Sequence, residues 1–237
     1  MASSAHSRPS APEIITSGTT LREVPLVPEI RLYQATEPMS LWQHTEQATG
    51  RAGLDPPFWA FAWAGGQALA RYLLDRPETA AGRKTVDIAS GSGLVAIAAA
   101  RAGAAAVTAY DIDPLAAAAI ALNADANGAG VRAACADVLA ADAAFPDADL
   151  VLVADAFYER ELAVRVLRFL DRARARGCAV LASDFGRAYL PRARLRPLAG
   201  YDVPGLGALE DRDVKHTTIW TLTDDRELWS SRVHRCH

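Results

Sequence analysis

From Lys84 onward, short apolar runs alternate with longer stretches in which apolar residues recur at helical spacing. Thr85–Ala89, Ala106–Asp111, Val131–Ala136, Asp149–Ala154 and Cys178–Ser183 read as strands. Between them lie an alanine-rich helix over Gly91–Ala102, closed by Gly103, and a second over Pro114–Asn127. The second has proline in its first turn and Gly128 just past its end. A long amphipathic helix over Glu159–Arg176 is stopped by Gly177. Strands separated by helices of about 10–15 residues predict an α/β fold, a parallel sheet with helices on both faces. Near the C-terminus, Arg196–Asp202 and His216–Leu222 flank a Gly/Pro loop and predict a hairpin that closes the sheet. Upstream, Ala68, Leu69, Tyr72 and Leu73 place a helix over Gly65–Leu74, ended by Pro77. Leu21–Glu46, with Pro25, Pro28 and Pro38, reads as an extension of short strands or one short helix.

The 237 residues suffice to bury a proper core, and 51% hydrophobic with 22% charged residues is ordinary for a globular protein. Much of the apolar content is alanine, which favours close helix packing. A net charge of −3 argues against a general affinity for nucleic acid or an anionic membrane surface. No run approaches the roughly 20 apolar residues that cross a bilayer. The first 20 residues are small, polar and proline-bearing; they predict a poorly ordered tail and no secretory signal. Cys135, Cys178 and Cys236 are scattered, without a CxxC pair, which suits a reducing cytoplasm. Val233–His237 carries possible ligands, but a frayed tail is the plainer reading, and no metal is expected.

Chemistry concentrates at the strand ends. Asp87-Ile-Ala-Ser-Gly91-Ser-Gly93 closes the first core strand, where open α/β sheets bind ligands and glycines let backbone approach them. The glycines alone are ambiguous, because Gly91-Ser-Gly93-Leu-Val-Ala96 also fits a relaxed dinucleotide pattern. Three acids narrow the reading. Asp87 can anchor the ammonium of an amino-acid ligand, Asp111 can accept from two ribose hydroxyls, and Asp137 can accept from an adenine amino group. Each taken singly could instead cap the next helix or turn. Asp113, ahead of Pro114, reads as such a cap.

The order DxxxGxG, then an acid after strand two and another after strand three, resembles the seven-strand class I methyltransferases, a Rossmann-like fold. More narrowly, the chain is similar to the electron transfer flavoprotein β-subunit lysine methyltransferases, within the protein lysine methyltransferases called family 16. The likeness rests on the Trp-rich stretch Pro57–Leu74, on Asp111-Ile-Asp-Pro114 and on Asp155-Ala-Phe-Tyr158, and it runs from Val27 to Leu222. It implies a mostly parallel seven-strand sheet and S-adenosylmethionine as cofactor. The chain is expected to divide into a tail over 1–20, an extension with a lid helix over 21–76, a catalytic core over 77–224 and a tail over 225–237. The family often carries Gly-Asp-Pro-Gly-Arg after strand five; here Ser183-Asp-Phe-Gly-Arg187 stands instead, which puts any role of Asp184 or Arg187 in doubt.

The resemblance assigns acceptor binding to Asp155 and Tyr158, as catalytic residues. A carboxylate at Asp155 can hold an incoming lysine ammonium and orient the amine after deprotonation, while Tyr158 offers a hydroxyl or a ring face to a cation. The plainer alternative is that Asp155 caps a helix while Phe157 and Tyr158 pack. The cofactor set is Asp87, Ala89, Gly91, Gly93, Asp111, Ile112 and Asp137, with Trp63 and, behind it, Trp59 from the aromatic cluster. Core packing is the alternative for the tryptophans. Trp42 and His44 receive no role beyond shaping an entrance. The expected reaction is lysine N-methylation of the electron transfer flavoprotein β-subunit by a monomer that needs neither nucleic acid nor membrane. The rivals are a ribosomal protein or small amine as acceptor, a non-catalytic binding protein that keeps the pocket, and a nicotinamide-dependent oxidoreductase.

Overall fold

The structure, a computed structural model, describes residues 9–205 and 214–223. A hairpin, β1 (Thr20–Val24) and β2 (Val27–Gln34), precedes a seven-stranded sheet. That sheet is built from β3 (Lys84–Ile88), β4 (Ala106–Asp111), β5 (Val131–Cys135), β6 (Leu150–Ala154), β7 (Ala179–Asp184), β8 (Leu195–Pro204) and β9 (Val214–Leu222). Its order is β5-β4-β3-β6-β7-β9-β8, parallel from β5 to β7 and antiparallel at β9 and β8. The expected hairpin is therefore present and closes the sheet edge.

Alternation along the strands explains why the sheet is covered on both faces. Leu150, Leu152, Ala179 and Leu181 pack with helices α3 (Ala64–Asp75) and α4 (Leu94–Arg101) and with Ile120 and Ala124 of α5 (Pro114–Ala126). Val151, Val153, Val180 and Ala182 pack with Val166, Phe169 and Leu170 of α6 (Arg160–Ala175). Apolar residues of both parities are what a doubly covered parallel strand requires. After β3 the chain passes through α4 to β4 on one side; after β6 it passes through α6 to β7 on the other. The ends of β3 and β6, paired at Ile88 and Val153, thus form the topological switch point where such sheets bind ligands.

Two expectations for the N-terminal part are corrected. Ala11–Gly18 is a helix, α1, inside the stretch expected to be poorly ordered. Ser10 and Glu13 form a capping box, and Ile14 and Ile15 are buried. The helix expected to belong to a lid, α3, is instead buried against the sheet, with Ala68, Leu69, Ala70 and Leu73 in the main core. The other helix of the extension, α2 (Pro38–Thr49), follows the hairpin, and Trp42 donates to the Leu54 carbonyl at 2.9 Å. Residues 1–8, the Val233–His237 tail with Cys236, and the remainder of 225–237 lie outside the described residues. Among the described residues no helix is long and apolar enough to cross a membrane.

Candidate active site

A cavity of about 740 Å³ opens at the switch point, within the range of small-molecule sites. It is lined by Asp87, Ala89, Gly91, Asp111, Ile112, Asp137, Asp155, Tyr158, Trp59 and Trp63, so that every residue assigned from the sequence to the cofactor or the acceptor except Gly93 reaches it. Gly93 serves the backbone. It stands at the start of α4 with φ +81°, and a Cβ there would come within 3.2–3.3 Å of Ile120. A left-handed turn and close helix packing both call for glycine.

The glycine loop begins with strain. Ala89 has φ +50°, and Asp155, at the end of neighbouring β6, has φ +56°. Non-glycine residues seldom adopt such values except where the surroundings impose them, as at binding sites. Both left-handed residues stand at adjoining strand ends and line the cavity.

The carboxylates differ in their holding. Asp87 is buried, accepts from the Ser90 hydroxyl, and has its pKa pushed up to about 7, by burial first and by the Asp111 charge in addition. Asp111 accepts from Gly91 N at 2.9 Å and Asp113 N at 3.1 Å, which leaves lone pairs on both oxygens. Asp113 accepts from Leu115 N at 2.8 Å and caps α5, as its place before Pro114 suggested. Asp137 accepts from Leu139 N at 3.1 Å, as a turn cap does, pairs with Arg165 of α6 and lines the cavity. Ile112 is 64% exposed, an apolar side chain without packing on the cavity wall.

At the end of β6, Asp155 is locked between two distant segments. Its Oδ2 accepts from Gly66 N at 2.9 Å, the third residue of α3, and its Oδ1 accepts from Arg187. The carboxylate thus caps a helix other than the one that follows it, with the helix dipole favouring its charge. Gly65 makes room: a Cβ there would lie 2.5 Å from Asp155 Oδ2. Ser183 Oγ donates to the Gly65 carbonyl at 2.8 Å and pins the same junction from β7. Burial raises the Asp155 pKa and the Arg187 charge opposes that rise.

At the mouth, Tyr158 is 49% exposed and lies 5.8 Å from the Phe58 ring, which in turn lies 6.1 Å from Trp63. Burial raises the Tyr158 pKa, and the carboxylates of Glu159, Asp111 and Asp55 add to the rise. Trp63 donates to the Phe58 carbonyl at 2.8 Å. Phe157 is buried in the core beneath the sheet, whereas Tyr158 is not, so the Asp155–Tyr158 element splits between packing and the cavity. Trp42 and His44 are not among the lining residues; His44 pairs with Ser17 Oγ at 3.0 Å. Sequence reasoning underrated Arg187, Phe58 and Gly65. The visible signals were the Ser183-Asp-Phe-Gly-Arg187 segment and the Gly65-Gly66 pair beside the tryptophans.

A model of the ribosomal protein L11 methyltransferase (PrmA) family matches residues 67–156. The electron transfer flavoprotein beta subunit lysine methyltransferase of Danio rerio is 34% identical over 212 residues, 87% of this chain and 81% of its own length. The Xenopus laevis protein of the same name is 37% identical over 203 residues, 84% and 81% of the two chains. Among solved structures, the ribosomal protein L11 methylase of Lactobacillus delbrueckii subsp. bulgaricus aligns with a TM-score of 0.48 at 20% identity, over 68% of this chain and 80% of that one. With two relatives above 30% identity across most of both chains, the protein belongs to the electron transfer flavoprotein β-subunit lysine methyltransferase family.

Proposed function

We propose that this chain methylates lysine side chains of the electron transfer flavoprotein β-subunit, with S-adenosylmethionine as methyl donor. The observation that carries the reading is one cavity with two differently built walls. Asp87, Asp111 and Asp137 line it at the ends of β3, β4 and β5, and an anchored carboxylate, Asp155, lines it at the end of β6 beside an aromatic mouth. The donor set fits an adenosyl amino acid. Carboxylates suit an ammonium, paired hydroxyls and an amino group, and the indole N–H of Trp59 in the wall is buried without a partner among the described residues. Gly91, at φ +56°, keeps its Cα bare toward Trp59.

S-adenosylmethionine supplies, when bound, an electrophilic methyl group. The chain's own residues do the rest. Asp87 would hold the amino-acid ammonium, as a carboxylate free of its proton, Asp111 would accept from the ribose hydroxyls and Asp137 from the adenine amino group, and Ile112 would offer an apolar surface to the adenine. Asp155 receives the lysine ammonium and, after its proton leaves to solvent, orients the neutral amine. Phe58, Tyr158 and Trp63 surround the alkyl stem and exclude water. Placement of this kind accounts for most of the acceleration of a direct displacement.

A ribosomal protein acceptor is the second reading, favoured by the match to the ribosomal protein L11 methyltransferase model. That match ends at Ala156, before Tyr158 and Arg187, so most of the acceptor wall lies outside it. The test is incubation of recombinant enzyme, isotopically labelled donor and purified β-subunit, followed by peptide mass spectrometry. Label on lysines of the β-subunit supports the reading. Label on ribosomal protein alone moves it to the alternative, and no label on either, with an active relative alongside, rejects it.

A further inference from the structure

Arg187 owes its place to the strand before it. β7 ends in Asp184, whose buried carboxylate accepts from the backbone N–H groups of Gly186 and Arg187, each at 2.6 Å, and from Arg187 Nη1 at 3.2 Å. Gly186 turns the chain at φ +99°, and the Arg187 guanidinium comes to rest 4.2 Å over the Phe185 ring. From there it donates to Asp155 Oδ1 across a largely dry contact, with side-chain exposures of 15% and 11%. Arg187 and Asp155 both line the cavity.

We propose that Arg187, anchored by Asp184, is the positioning residue for the acceptor amine: it holds the Asp155 carboxylate fixed and charge-paired against the N-terminus of α3. The inference rests on the lysine-methyltransferase reading. Asp155 uses one oxygen for Gly66 N and the other for Arg187, and each keeps a lone pair for an incoming ammonium. Two carboxylates and one guanidinium leave the group with a single net negative charge, suited to one ammonium. The charges that act most on Asp155 are Arg187 and Asp184, from the segment that ends β7, while Asp87, Asp111, Asp137, Tyr158 and Glu159 line the same cavity. Arg187 opposes the upward push of burial on Asp155, and Asp184 adds to that push. Without the guanidinium the carboxylate takes up a proton at higher pH and loses its hold on a cation.

The experiment compares Arg187→Met, Arg187→Gln and Arg187→Lys with the wild type, measuring kcat and KM for the acceptor across about pH 6–10. In Arg187→Met, kcat/KM for the acceptor is expected to fall on the order of 100-fold, with the acid limb moved to higher pH. Donor affinity should stay within about twofold, and Arg187→Lys should recover roughly a tenth or more of the activity. Arg187→Gln, which keeps a neutral donor, covers the case in which the methionine variant does not fold. A second arm needs no turnover: carbon-13 NMR of aspartate-labelled protein follows the Asp155 carboxyl, assigned through Asp155→Asn. Its midpoint should rise in the charge-free variants. An unmoved midpoint with an unmoved acid limb overturns the inference. A wild type that labels no lysine rejects the proposed function instead, and the NMR arm still decides the role of Arg187.

Discussion

The two walls of the cavity are held in opposite ways. On the glycine-loop wall the partners lie at most 28 residues away: Ser90 for Asp87, Asp113 N and Gly91 N for Asp111, Leu139 N and Arg165 for Asp137. On the other wall the partners come from far along the chain, with Gly66 meeting Asp155 across 89 residues and Ser183 meeting Gly65 across 118. The glycine-loop wall needs β3, β4 and β5 side by side. A wall assembled from α3, β6 and β7 exists only when the sheet is complete. Donor binding and acceptor placement are therefore separable properties, and each can be damaged alone.

The largest separation is expected from Asp155→Asn. Removing the charge that receives the ammonium should lower kcat on the order of 1,000-fold in single-turnover assays. Smaller is the effect of Gly65→Ala. The added Cβ would stand 2.5 Å from Asp155 Oδ2 and must push the carboxylate off α3. A loss of about 10- to 100-fold in kcat and about 1–3 kcal/mol in stability should follow, read by assay and by thermal unfolding. Survival of full activity in Gly65→Ala would break the claim that this junction aims Asp155.

Asp87 sharpens the comparison through pH. Its folded-state pKa of about 7 lies above its value of about 3.8 in the unfolded chain, so the folded state holds the proton more tightly. Without donor, stability should therefore fall as pH rises from about 4 to about 7 and level off above. Asp87→Asn should remove that slope and stabilise the donor-free protein by a few kcal/mol above pH 7, as checked by denaturant melts. Donor affinity in the wild type should weaken by up to about tenfold per pH unit below 7, since binding must release the proton. The smallest effect belongs to Asp113→Ala, about 1 kcal/mol of stability from a lost helix cap, with donor affinity changed less than about threefold.

The same contrast explains what could be read from the sequence. Alternating strands and helices, the closing hairpin, the Asp87–Gly93 loop and the cap at Asp113 are signalled by neighbours within a few residues. Helix α1 was signalled too, by Ser10-Ala-Pro-Glu13 ahead of Ile14-Ile15, but the surrounding polar residues masked that capping box. The placement of α3 under the sheet was hidden because a helical stripe does not say what covers it. Arg187 was hidden more deeply: its ion pair to Asp155 depends on the side-by-side pairing of β6 and β7 and on the turn held by Asp184. Gly65 looks like a spacer until the carboxylate lying against it is seen.

Whether the cavity has one wall for the donor and another for the acceptor is tested most directly by calorimetric titration of S-adenosylhomocysteine into wild type, Asp111→Ala and Asp155→Asn. The expected result is binding to wild type and to Asp155→Asn within about twofold of each other, and a loss on the order of 100-fold or more in Asp111→Ala, where charge-assisted bonds to two hydroxyls disappear. Equal affinity in all three proteins, or a loss confined to Asp155→Asn, would contradict it.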